Sequence, residues 1–196
     1  MRILASDILK RLEDRVAKLE KEASNSTKVL ENLKKLVKIP FGKERYKRNE
    51  NYFINSISIR SNMDQEPMDI NDYEGFMTSY MNFSVSHLLG NENVDEKKVQ
   101  SELEKEVKKL ASNSSILKEK AKKEMDSESE SAFTSAWYDT RHYDFSYGGD
   151  GDIQVSVKVK KGKDLYSGTR NMINAEIKIS QKFDIEEKGE YGEDVI

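Results

Sequence analysis

Apolar or small residues recur at Ala5, Leu9, Leu12, Val16, Leu19, Ala23, Ser26, Leu30, Leu33 and Val37, with spacings that alternate four and three. That period is the a/d signature of a helix packing along one seam against another helix. It predicts a first helix that opens near Ser6 or Asp7, either of which can cap free N–H groups. It should close before Pro40, whose ring disfavours helix in the residue ahead of it. Ser24-Asn25-Ser26-Thr27 competes for backbone hydrogen bonds inside this span, so a helical hairpin turning there is the alternative. The phase is unbroken on both sides of the patch, which favours one continuous helix.

Beyond Pro40 the pattern changes. Tyr52 to Arg60 is rich in β-branched residues with polar interruptions and predicts a strand, followed by a loop over 61–70. Over 72–89 helix and strand compete. Asn71-Asp72-Tyr73-Glu74 resembles a capping box, Tyr73, Phe76, Tyr80, Phe83 and His87 share a helical face, and Gly90 suits a stop, so a shorter helix is expected. A second long helix is expected over 95–126, with a stripe of Val99, Leu103, Val107, Leu110, Ser114, Leu117, Ala121 and Met125. The phrase Leu19 to Glu22 with Ala23 to Ser26 returns as Leu103 to Glu106 with Ala111 to Ser114, which suggests that the two long helices meet at their serines.

Asp126 to Ser131 then reads as a linker and the period switches to two. Strands are expected over 133–147, 153–160 and 172–185, the first two joined by a turn at Gly148-Gly149-Asp150-Gly151. In the last, Ile173, Ala175, Ile177, Ile179, Phe183 and Ile185 alternate with polar residues, the mark of a sheet with one buried and one wet face. The fold class is therefore α+β: two long helices plus a shorter one packed as a bundle or stalk, then an antiparallel sheet of three to five strands. The expected organisation is a mainly helical region 1–126 with one strand near 52–60, an antiparallel β region 132–185, and an acidic flexible tail 186–196.

Composition narrows the function classes. Charged residues make up 35% and hydrophobic ones 36% of the 196, so the core is small for the length and the solvated surface large. The formal net charge of −3 mixes both signs along the chain and lacks the basic field of a dedicated nucleic-acid binder. Without cysteine there is no disulfide, thiolate metal site or Cys nucleophile. No apolar run reaches the length of a membrane span, and a cytoplasmic protein, or a virion component if viral, is expected.

Candidate chemistry is sparse, and no motif resembles that of a known family. The seam residues Leu9, Leu12, Val16, Leu19, Leu30, Leu33 and Val37 are candidates to bind a partner, either within the chain or on another subunit. Trp137, Tyr138, Tyr143 and Tyr147 concentrate aromatic area in one strand and form a second candidate partner surface. Lys43, Arg45, Lys47 and Arg48, interleaved with Tyr46, are candidate phosphate-binding residues, against the plainer reading of a solvated loop at the cationic end of a helix. Asp164, Glu176 and Lys178 echo a metal-dependent nuclease, in which acids hold Mg²⁺ and the lysine steadies water. Three common residue types make that a weak signal. His87 and His142 are the only histidines, and neither accompanies an activated serine or an HExxH spacing. No cofactor is implied. The expected function is a non-enzymatic structural or adaptor protein that mediates assembly, such as a subunit of a viral or phage particle. A metal-dependent enzyme acting on nucleic acid is the alternative.

Overall fold

The computed structural model describes residues 5–42, 50–65, 74–135, 142–163 and 168–190. Its elements are α1 (Ala5–Lys38), β1 (Tyr52–Gln65), β2 (Glu74–Leu89), α2 (Glu96–Ser112), α3 (Ile116–Ser135), β3 (His142–Lys163) and β4 (Asn171–Glu190). The fold is α+β: three helices and one four-stranded antiparallel sheet of order β1-β2-β4-β3, in which the second strands of two hairpins are neighbours. The strand near 52–60 is thus an edge of the same sheet and extends to Gln65.

Several elements differ from their sequence reading. Residues 74–89 form a strand, not a helix. Met77, Ser79, Met81, Phe83, Val85, His87 and Leu89 are all buried at period two, and that alternation outweighs the aromatic spacing that suggested a helix. The helix expected over 95–126 is two helices. Asn113 and Ser114 donate to the Leu110 and Ala111 carbonyls in a tightened last turn, and the Ser115 hydroxyl bonds the Glu119 carboxylate as α3 begins. The expected linker at 126–131 lies inside α3, which also takes in 132–135.

The glycine run 148–151 is no turn, because β3 passes straight through it. A Cβ on Gly151 would sit 2.6 Å from the Lys182 carbonyl oxygen, and the Gln181 side-chain amide donates to the Gly151 carbonyl at 3.1 Å. Glycine there admits a close neighbouring backbone. β4 also continues into the stretch expected as a tail, as far as Glu190.

The chain divides into two compact units. The first comprises 1–55, 84–106 and 157–176, and its core includes Val29, Leu33, Leu36, Val37, Val85, Val99, Leu103 and Ile173. Within it α1 and the first part of α2 run parallel, since Lys34 pairs with Glu102 at 3.6 Å and Lys38 with Glu106 at 3.3 Å. Ser26, expected in the helix seam, donates to the Asn93 carbonyl at 3.3 Å, just ahead of α2. Asp95 caps α2 by accepting from the Lys97 and Lys98 N–H groups. Edge strand β3 is covered here by α2: Val159 N–H donates to Gln100 at 3.3 Å and Lys161 N–H to Glu96 at 2.7 Å.

The second unit comprises 56–83, 107–156 and 177–196. Its core includes Met77, Met81, Phe83, Val107, Leu117, Ala121, Met125, Ile177, Ile179 and Phe183. The hydroxyls of Ser61 and Ser79 satisfy each other at 2.6 Å inside it. Lys118 pairs with Asp150 at 3.2 Å and lies 4.3 Å above the Tyr147 ring, tying α3 to β3.

Candidate docking surface

The seam of α1 is divided into two halves. Leu30, Leu33 and Val37 are buried within the chain and are not available to another protein. Leu9, Leu12, Val16 and Leu19, joined by Ile8, are 50–61% exposed. Residues 6–21 are exposed on every side of the helix. The two halves share a face, because Ile8 stands to Leu9 and Leu12 as Val29 stands to Leu30 and Leu33. The Ser24 to Thr27 patch that joins them stays helical. Thr27 bonds back to the Ala23 carbonyl at 2.9 Å, so its hydroxyl is satisfied within the continuous helix that the unbroken phase favours.

The flanks of the exposed stripe are charged, one mainly basic and the other mainly acidic. Reading Leu9 and Val16 as a positions and Leu12 and Leu19 as d positions puts Arg11, Arg15 and Lys18 with Glu22 on one side and Glu13 and Glu20 with Lys10 on the other. A surface with an aliphatic centre and charged margins has the composition of a helix-binding seam.

Trp137, Tyr138, the side chain of Tyr143, and Lys43, Arg45, Lys47 and Arg48 lie outside the described residues, as does Asp164. Tyr147 is half-buried and engaged within its own unit, tilted against Phe183 at 6.2 Å with Lys118 and Lys122 over its ring. Glu176 and Lys178 point from β4 to solvent. No group of three or more potential metal ligands occurs among the described residues. No helix among them is long and apolar enough to cross a membrane.

Two polar features were missed in the sequence. Ser86, fully buried, accepts from the Asn55 side-chain amide at 2.6 Å and donates to Asn174 Oδ1 at 2.5 Å, linking β1, β2 and β4. His87 is buried with its ring stacked on Tyr52, and its Nδ1 has no partner. The alternation from Met77 to Leu89 was the signal that could have placed His87; Ser86 lies on the opposite face of β2, and no pattern in the sequence marks it. Burial holds the His87 imidazole below its ordinary pKa of 6.5, because a charged ring there would lose its hydration. The unfolded chain then binds this proton at a higher pH than the folded one does. The stability tied to a neutral His87 is present above about pH 6.5 and is lost as the pH falls below it. Urea midpoints measured from pH 7.5 to 5 should fall in the wild type and fall less in His87→Leu; parallel profiles would show that His87 is not responsible.

The fold and this surface define a class: an α+β protein that carries an amphipathic helical extension with an uncovered apolar stripe. No family model, curated protein or solved structure matches the chain.

Proposed function

We propose that this protein is a non-enzymatic assembly protein that associates with itself through the N-terminal stripe of α1. The observation that carries the reading is the exposure of Ile8, Leu9, Leu12, Val16 and Leu19 on one helical face that has no cover among the described residues. An amphipathic helix gains most of its stability from packing its apolar face, and an uncovered helix of this length is marginal in water. Each half-exposed aliphatic side chain gains about 1 kcal/mol when covered, so ten in a pair supply about 10 kcal/mol. That gross gain is comparable to the cost of immobilising two chains, and it sets a reversible, concentration-dependent association.

Light scattering tests the proposal. The wild type should exceed the 22.6 kDa of one chain as concentration rises. Leu12→Glu combined with Val16→Glu should weaken association by more than 100-fold while leaving the melting temperature of the dilute protein unchanged, because neither side chain packs in the protomer. A wild type that keeps the single-chain mass up to about 1 mM, where even a weak pairing of about 4 kcal/mol would be half formed, overturns the proposal.

A further inference from the structure

We infer that the partner is a second copy of this chain laid antiparallel along α1, with Ala5 of one copy facing Ala23 of the other, Leu9 facing Leu19, and Leu12 facing Val16. The inference rests on the self-association reading and goes beyond it by stating direction and register.

Direction is set by what already occupies the seam. From the turn after Ser26 onward, α2 runs parallel to α1, held by the Lys34–Glu102 and Lys38–Glu106 pairs, while Leu30, Leu33 and Val37 are buried. A second α1 docked parallel and in register would have to lay its own residues 29–38 over Leu30, Leu33 and Val37, which are already covered. An antiparallel copy avoids this clash, because its own residues 29–38 and its α2 lie beyond Ala5 of the first copy.

Register is set by side-chain size. The stated pairing sets aliphatic against aliphatic from Leu9 to Leu19, and it is symmetric, as an isologous two-fold contact must be. Shifting by one heptad would oppose Leu9 to Ser26 and Leu12 to Ala23, leaving gaps, and would drive the N-terminal turn of one helix alongside Leu30, into α2. Five aliphatic residues per copy, each roughly half exposed, give on the order of 1,000 Å² of buried surface for the pair, the lower bound for a specific interface.

Charge provides an independent signature. Near the two-fold axis Glu13 would face Glu13 and Arg15 would face Arg15, like-charge contacts that are exposed and therefore weak and screened by salt. A parallel pair would instead set Arg15 against Glu20. Antiparallel association should thus strengthen severalfold as NaCl rises from about 50 to about 500 mM, whereas parallel association should weaken.

The chain has no cysteine, so single introduced thiols report contacts unambiguously. Leu9→Cys and Leu19→Cys are prepared separately, one with a mass tag, then oxidised alone and mixed. The expected result is a disulfide between the two variants in the mixture and none within either alone. Because a thiol in the seam weakens pairing, Glu13→Cys with a short bismaleimide repeats the test from the flank, where only the antiparallel arrangement joins like to like. Leu9→Cys linking to itself, a dimer with no link in any sample, or association that weakens with salt overturns the inference and leaves self-association standing. A wild type that remains a single chain overturns both.

Discussion

Leu33→Ala is expected to destabilise the protein by about 2–5 kcal/mol, whereas Leu12→Ala, on the same stripe, should leave the stability of the dilute protein nearly unchanged. Leu33 is fully buried, so truncation removes its transfer free energy and leaves a cavity that the surrounding helix and sheet residues fill only in part. Leu12 is about half exposed, and its loss opens no cavity in the protomer. Urea unfolding at low micromolar concentration checks both. The contrast should shrink as concentration rises, because association adds stability that depends on Leu12. Equal effects at low concentration would mean that the N-terminal half of α1 packs within the chain after all.

Phe183→Ala should have the larger single effect in the second unit, about 3–5 kcal/mol. The ring is fully buried on the central strand β4 and lies 6.2 Å from the Tyr147 ring, which is itself held under Lys118. Truncation therefore leaves a large void and also frees Tyr147, loosening the attachment of α3 to β3. For a chain of this length a loss of that size lowers the melting temperature by about 10 °C, measurable by calorimetry. A fall of under about 1 kcal/mol, as for a surface substitution, would show that Phe183 is not a core residue.

How much could be read from sequence varied by element. The body of β4 was legible, because a strand wet on one face writes its geometry directly as alternation from Ile173 to Ile185, whereas its continuation to Glu190 was not. β2 was not, because Tyr73, Phe76, Tyr80 and Phe83 supply a helical period over a stretch whose odd positions also alternate, and pairing with β1 and β4 decides between them. The phrase Ala-Ser-Asn-Ser shows the same limit twice. At 23–26 it lies inside one continuous helix, while at 111–114 it ends one. Four polar or small residues tolerate either state: after the first copy Thr27 bonds back to its own helix, whereas after the second Ser115 bonds Glu119 at the start of a new one. The glycine run was misread for a related reason, since glycine permits a tight turn and a close backbone approach equally.

The heptad spacing by itself determined that α1 is helical with one apolar face and favoured a single helix over a hairpin at 24–27, because that face depends only on which residues recur along the helix; the structure shows it continuous from Ala5 to Lys38. Only the tertiary structure decided that the face is shared between two roles, with Leu30, Leu33 and Val37 covered beside α2 and Ile8 to Leu19 left open. The physical reason is that an apolar stripe specifies the need for a cover but carries no information about where the cover comes from. That depends on where α2 begins, and Asp95, 57 residues beyond Lys38 in the chain, sets that start.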